Sequence, residues 1–443
     1  MNNRLLLAFY GDDFTGSTDA MEALDRFGLR TILFLEVPSK KRIEQFQDVQ
    51  CIGIAGTARA KQPEDMKQEL IPVLEKCREL QPHFVHYKVC STFDSSPEVG
   101  SIGFVCDLAK QYFPDDTYPL LAATPDLGRY TVFGNHFAAF HGEVYRLDQH
   151  PVMSRHPVTP MDEADLGKHL QKQTDLSIGY RTIIDMDKNA PGDHDLTDKD
   201  ITIYDASEPK HMDWFADELW KQRGGSSQFI VGSSGVEYAF ASKWKKEDIV
   251  QEKQQSRKAE RVDQMLVVSG SVSAVTKKQL EKAEAAGFHM IQVPHQLIAE
   301  ELSPSYMDDI LQALQKHKKV VLYTAKGHDD SAIAETKAHL SNMGVEKEDI
   351  GMFIGRQLGI WTKYLMEHAD LKRLVVSGGD TSGFVTSQLG IYGLEVLESI
   401  APGAPLCHAY SEESRFDGLE IALKSGQLGG EDFFENVFLA GES

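Results

Sequence analysis

The chain has 443 residues, 41% of them hydrophobic and 26% charged, with 67 acidic against 46 basic side chains and a net charge of −21. That length is too great for one small core and calls for two domains, three at most, of ordinary globular composition. The acidic balance, with no basic block, excludes nucleic acid and anionic membrane surfaces as partners, since both are held by Lys and Arg contacts to phosphate.

Short apolar runs alternate with amphipathic stretches almost from end to end. This is the pattern of an α/β fold in which each domain has a largely parallel sheet flanked by helices. In the first half, strands are expected at residues 5–10, 31–35, 51–55, 84–89, 120–123, 182–185, 201–204 and 229–231. Helices are expected at 17–27, 63–80, 97–112, 162–173 and 210–222. The first apolar run is too short for a signal peptide and reads as a strand. Residues 130–147, with aromatic and β-branched side chains, Gly134 and Gly142, suggest a β-hairpin or lid. From 243 to 263 the chain turns polar and charged, which marks a boundary: a domain over 1–245, a linker over 246–262 and a second domain over 263–443. Strands resume at 265–268, 290–293, 320–324, 374–376 and 419–422.

No segment reaches the ~18–20 apolar residues of a membrane span. Cys51, Cys77, Cys90, Cys106 and Cys407 are odd in number and lack metal-ligand spacing, so they read as reduced thiols of a cytoplasmic protein.

Ligands of such sheets bind at the carboxyl ends of strands. Three strand ends stand out. The first runs into Gly11-Asp12-Asp13-Phe14-Thr15-Gly16-Ser17. Adjacent carboxylates need a cation, backbone amides or a substrate hydroxyl as partner; one of the two capping the next helix while the other faces water fits equally. The second is Ser269-Gly270-Ser271-Val272-Ser273 ahead of a helix that carries Lys277 and Lys278. Its amides and hydroxyls suit an anion such as phosphate, and they also fit a plain turn with Ser273 as N-cap. The third, Ser377-Gly378-Gly379-Asp380-Thr381-Ser382-Gly383, lets backbone approach a ligand closely, and Asp380 can bind a metal or cap the helix. A further glycine sits in Lys424-Ser425-Gly426. GxxxxGK[ST], a GxGxxG that opens a βαβ unit and the protein-kinase set are all missing, and the adjacent acids do not have the Asp-x-Asp spacing of a haloacid-dehalogenase-type phosphatase. His86, His136, His141, His150 and His156 are scattered and read as structural.

With GDDFTGSTDA at 11–20, Ser-Gly-Ser-Val-Ser-x-x-Thr, Gly-Gly-Asp-Thr-Ser-Gly and Leu-Lys-Ser-Gly in this order, the chain resembles the four-carbon acid sugar kinase family over essentially its whole length. The resemblance implies an N-terminal domain that binds a sugar acid, a C-terminal domain that binds ATP, and an active site in the cleft between them. The implied reaction is phosphorylation of a hydroxyl of threonate, erythronate or 3-oxo-tetronate. It further implies that Ser271, the Gly378-Gly379-Asp380-Thr381 turn and Gly426 contact ATP, and that Asp12, Asp13 and Thr15 face the sugar acid. One of Asp12 or Asp13 is expected to accept or orient the hydroxyl proton, with Mg²⁺ compensating the charge on the phosphates. The expected partners are small molecules, with neither nucleic acid nor membrane, and a homodimer is compatible with the sequence.

One run departs from the family. Members typically follow the strand at 84–89 with a Lys and then Asp-Ser-Thr-Leu-Arg-Gly, whose cations suit a carboxylate. Here Lys88, Ser91 and Thr92 keep their places, but Cys90 stands for the Asp and Asp94 for the Arg. Losing a charge-assisted hydrogen bond costs about 1.5–3 kcal/mol, and an acid in its place repels a carboxylate. The substrate is therefore held differently, with Arg129 and Arg155 as compensating cations, or it is another acid, such as the branched 3-oxo-isoapionate. A non-catalytic sugar-acid sensor is the alternative from another class.

Overall fold

A computed structural model describes residues 4–114, 117–191, 199–250, 257–300, 302–347 and 349–442. The chain divides into two compact units, Met1–Gln254 and Gln255–Ser443. Within the expected linker, residues 251–256 lie outside the described residues.

In the first unit the strands are β1 (Leu7–Gly11), β2 (Thr31–Phe34), β3 (Cys51–Ala55), β4 (Phe84–Lys88), β5 (Tyr118–Leu121), β6 (Arg129–Val132), β7 (Asn135–Phe140), β8 (Glu143–Arg146), β9 (Ile178–Arg181), β10 (Ile201–Tyr204) and β11 (Gln228–Gly232). The main sheet is parallel throughout, in the order β2-β3-β1-β4-β11-β5-β10-β9. β1, β2 and β4 are buried along their full length, as a sheet covered on both faces requires, hence their near-continuous apolar runs. Helix Pro63–Leu80 starts on a proline at its first turn and turns Met66, Leu70, Val73, Leu74 and Cys77 into the core at helical spacing. Each such large apolar side chain contributes about 1.5–3 kcal/mol on burial.

The segment expected as a hairpin or lid is a separate antiparallel sheet, β6-β7-β8. Residues 182–185, expected as a strand, instead open helix Ile183–Lys188, with the strand falling just before it. Thr182 and Asp185 form a reciprocal capping box there, a local signal that outweighs the β-branched composition. Caps also shorten two expected helices. Ser101 accepts from Phe104 N and starts helix Ile102–Ala109, and Asp165 accepts from Gly167 N and Lys168 N and starts helix Leu166–Leu170.

The second unit holds β12 (Met265–Ser269), β13 (His289–Gln292), β14 (Lys319–Tyr323), β15 (Arg373–Ser377), β16 (Ile391–Glu398), β17 (Leu406–Ser411) and β18 (Glu420–Lys424) in the order β13-β14-β12-β15-β18-β17-β16. From β13 to β18 the neighbours are parallel, whereas β17 runs antiparallel to both β18 and β16. The β16–β17 pair is absent from the sequence-based expectation, because a strand-helix-strand rhythm leaves no place for two successive strands.

Register aligns the strand ends that carry the chemistry. In the first unit Gly11 pairs with Ala55 and with Lys88, and Lys88 with Gly232. In the second, Ser269 pairs with Ser377 and Ser377 with Lys424. No helix among the described residues is long and apolar enough to cross a membrane.

Candidate active site

At the end of β1 the two adjacent carboxylates have different surroundings. Asp13 is the N-cap of helix Phe14–Arg26: its Oδ1 accepts from Gly16 N at 2.9 Å and lies 2.8 Å from Arg59 Nη2. Its side chain remains 31% exposed, and Oδ2 has no partner among the described residues. Asp12 is buried and gives both oxygens to Arg59, at 3.1 Å from Nε and 2.5 Å from Nη2. Burial raises the Asp12 pKa above the ordinary carboxylate value, and the charges of Arg59 and Lys88 oppose that rise. Backbone bonds lock the three strand ends together: Asp12 N donates to Lys88 O and Arg59 N to Asp12 O, each at 3.0 Å.

Lys88 is 4% exposed and extends against the first turn of the same helix. A Cβ on Gly16 would lie 2.4 Å from Lys88 Nζ and 2.5 Å from Asp13 Oδ1, so only glycine leaves room for the ammonium there. The one ion pair of Lys88 is long, 4.0 Å to Asp19, and its ammonium donates no hydrogen bond among the described residues. A buried cation with open donors at a helix N-terminus is a site for a carboxylate. Thr15 stands half-exposed in the same turn.

The run after β4 is held from several sides. Thr92 Oγ1 donates to Asp94 Oδ1 at 2.7 Å, so its single proton is spent and the Cys90 thiol, 3.0 Å away, donates to Thr92. Burial and the Asp94 charge push the Cys90 thiol up, keeping it protonated for that bond. Ser91 O accepts from His136 Nε2 at 2.8 Å, and His136 Nδ1 accepts from Thr131 at 2.9 Å. Burial lowers the His136 pKa to about 4, so the ring is neutral and this donor-acceptor assignment holds at neutral pH. Phe93, fully buried, has φ 58°, a left-handed backbone that costs a non-glycine residue about 1–3 kcal/mol. Ser95 is pinned by His169 and Gln173 at 3.0 Å each. Arg129 is half-buried at the start of β6; Nη1 donates to Leu127 O, while its buried Nε has no partner. Arg155 is exposed on the turn Met153–Arg155, and its side chain makes no hydrogen bond or ion pair among the described residues.

In the second unit the glycine turns meet. Ser271 Oγ lies 2.9 Å from Thr276 Oγ1, Ser273 caps helix Ala274–Ala285, and both Ser273 and Thr276 donate to Gly426 O. Gly378 has φ 129°, which only glycine adopts without strain, and opens helix Gly379–Gln388. A Cβ on Gly378 would lie 3.4 Å from Ser271 N, and one on Gly426 only 2.5 Å from Ser271 Oγ. Thr381 is buried beside Gly270 and Gly378, whereas Gly379 and Asp380 face solvent in the first helical turn. Thus Ser271, Gly378, Thr381 and Gly426 form one cradle of amides and hydroxyls, with Asp380 on its exposed lip. Gly426→Ala should push Ser271 Oγ off Thr276. For the ATP contact that the resemblance implies at this turn, steady-state kinetics should then show the KM for ATP raised about tenfold with kcat within about threefold; an unchanged KM would overturn that expectation.

Two basic residues of these clusters escaped the sequence reading. Arg59 sits in the short turn Ala58–Ala60 after β3, where no motif marks it, although β3 is an immediate neighbour of β1. Lys424 lies two residues before Gly426, and nothing in the sequence marks it apart from that glycine.

Each of the two units is an α/β fold, and the second gathers amides and hydroxyls of the kind that hold phosphate. Residues 7–240 match the model of the sugar-binding N-terminal domain and residues 266–434 that of the nucleotide-binding C-terminal domain, so the chain belongs to the four-carbon acid sugar kinase family. It is 41% identical to a 3-oxo-isoapionate kinase of Paraburkholderia graminis, over 98% of this chain and 94% of that protein. It is 28% identical to a 3-oxo-tetronate kinase of Pseudomonas savastanoi pv. phaseolicola, over 98% and 96%. Among solved structures, a Salmonella typhimurium protein superposes with a TM-score of 0.78 at 24% identity, covering 98% of both chains. A Haemophilus influenzae protein gives 0.75 at 23%, covering 97% of this chain and 98% of its own. These two show the shared fold.

Proposed function

We propose that the protein transfers the γ-phosphoryl group of ATP to a hydroxyl of a small oxo sugar acid, and that a branched five-carbon acid of the 3-oxo-isoapionate kind is preferred to straight four-carbon acids. The observation that carries this preference is the Cys90–Thr92–Asp94 relay. It occupies the place of the family's acid and arginine with a neutral thiol and with a carboxylate already satisfied within the loop. The loop therefore offers one cation fewer and a different outline, and Lys88 is left as the partner for the substrate carboxylate. The 41% relative named for the branched acid agrees with that reading.

In the proposed reaction Lys88 and the helix N-terminus hold the carboxylate, and Thr15 and Ser91 offer hydroxyls. Asp13 Oδ2 accepts the proton of the attacking hydroxyl as the new oxygen–phosphorus bond forms and ADP departs with the electrons of the broken one. Asp12 acts through Arg59, fixing it beside Asp13. On the ATP side, Ser271, Gly378, Gly379, Thr381 and Gly426 cradle the phosphates with amides and hydroxyls. Mg²⁺ bound to the nucleotide would neutralise phosphate charge, and Asp380 on the exposed lip is a carboxylate of the type that reaches such an ion.

ADP release measured against threonate, erythronate, 3-oxo-tetronate and 3-oxo-isoapionate tests the reading. Turnover with the branched acid and little with the others is expected; turnover confined to a four-carbon acid would overturn the preference, and none with any acid would favour a sensor. Cys90→Asp combined with Asp94→Arg should move the kcat/KM ratio toward the four-carbon acids by about 10–150-fold, the worth of one charge-assisted hydrogen bond.

A further inference from the structure

Lys424 ends β18 with 1% of its surface exposed. Its Nζ donates to Ser377 Oγ at 3.1 Å and to Thr276 Oγ1 at 3.4 Å, and lies 6.0 Å from the centre of the Phe433 ring. Thr276 in turn touches Ser271 and Gly426 O, so the ammonium stands one hydroxyl away from the cradle.

This ammonium makes no ion pair among the described residues, and the charged groups around it are engaged elsewhere. On helix Ala274–Ala285, Lys277, Lys278 and Lys282 pair with Asp329, Glu431 and Asp432, and Glu284 pairs with Lys326. On β15, Arg373 pairs with Glu420, and Glu435 of helix Phe433–Leu439 lies 3.9 Å from Lys319. His408 of β17 is held by Arg257, Glu281 is exposed, and Asp380 of helix Gly379–Gln388 faces solvent. A buried charge without a counter-charge is costly. Burial accordingly lowers the Lys424 pKa to about 8.

We propose that Lys424 is a positioning residue of the nucleotide site. Its charge is complemented by the bound phosphates and acts on them through the Thr276 and Ser377 hydroxyls. The inference rests on the kinase reading and on phosphates lying in the Ser271–Gly378–Gly426 cradle. The sign follows from linkage: an anion that favours the ammonium raises its pKa, so affinity is greatest below pH 8 and falls above it, where the free protein carries neutral Lys424.

Calorimetry of ADP binding with Mg²⁺ at pH 8.5, in buffers of different ionisation enthalpy, counts the protons taken up. Because burial lowers the Lys424 pKa to about 8, the wild type should take up a measurable fraction of a proton per ADP at this pH. Lys424→Arg, charged at every pH, should bind ADP with almost no uptake, and Lys424→Met should bind about tenfold more weakly or worse, also without uptake. A wild type without uptake, or a Lys424→Met protein with wild-type uptake, overturns the proposal while leaving the kinase reading intact. Failure of the wild type to bind ADP at any pH overturns both. The wild-type measurement stands even if a variant does not fold.

Discussion

Asp13→Asn should lower kcat by about 10²–10⁴, the usual contribution of a positioned general base, with little change in stability. The second half of this expectation makes the first informative. Asp13 caps helix Phe14–Arg26 through Oδ1 and Gly16 N, and asparagine caps as well as aspartate. The substitution therefore removes charge and basicity at Oδ2 while preserving the local fold. Asp12→Asn should behave differently. It strips the buried Arg59 guanidinium of a two-point partner, so it should cost about 3 kcal/mol of stability, at the lower end for a broken buried pair because Arg59 keeps 22% of its side chain exposed and Asp13 as a second acid. Its loss of turnover should come with the displacement of Arg59. Turnover and thermal unfolding of both variants, measured side by side, separate the two roles. Near-normal kcat in Asp13→Asn would end the assignment of Asp13 as base, and near-normal kcat in both would remove the pair from the chemistry.

The strand ends that carry these groups were legible because their signals are local. Adjacent acids after an apolar run, and glycine with hydroxyls between a strand and a helix, are each complete within ten residues. Arg59 was not legible, since its meaning depends on β3 lying beside β1, a long-range pairing that brings a turn with no motif against Asp12. The local signal for it is the strand-end position of Ala55-Gly56-Thr57-Ala58-Arg59, directly after β3. Lys424 was hidden in another way: a lysine at a strand end reads as solvated until burial by Phe433, Ser377 and Thr276 is seen. For the loop after β4 the sequence alone leads to the expectation that Asp94 repels a carboxylate. Thr92 instead engages that acid within the loop, a two-residue contact that depends on the left-handed backbone of Phe93 between them. On the proposed reading, an acidic protein that handles two anions relies on single buried cations, Lys88 and Lys424, while Arg59 pairs with the adjacent acids Asp12 and Asp13.

Arg373→Met should be among the most destabilising single changes in the second unit. The guanidinium is fully buried at the start of β15. It donates to the Val437, Phe438 and Ala440 carbonyls at 2.8, 3.0 and 3.1 Å, to Glu260 O, and through Nε to Glu420 at 2.7 Å. It thereby caps the carboxyl end of helix Phe433–Leu439, whose last carbonyls have no partner within the helix. Methionine fills most of the volume but satisfies none of these acceptors, and it leaves Glu420, which is 7% exposed, with the Glu260 N hydrogen bond but no counter-charge among the described residues. Breaking a buried pair from one side costs about 3–5 kcal/mol, and each orphaned carbonyl adds about 1–3. Against a total stability of about 5–15 kcal/mol, the melting temperature should fall by about 10 °C or more, with nucleotide binding lost as the unit opens. The double variant Arg373→Met with Glu420→Leu separates the causes. If the unpaired Glu420 charge carries most of the cost, the double variant should recover a good part of the lost stability. If it melts no higher than the single variant, the carbonyl caps carry the cost, and a drop of less than about 3 °C in the single variant would show that Arg373 is not the tie that its five acceptors indicate.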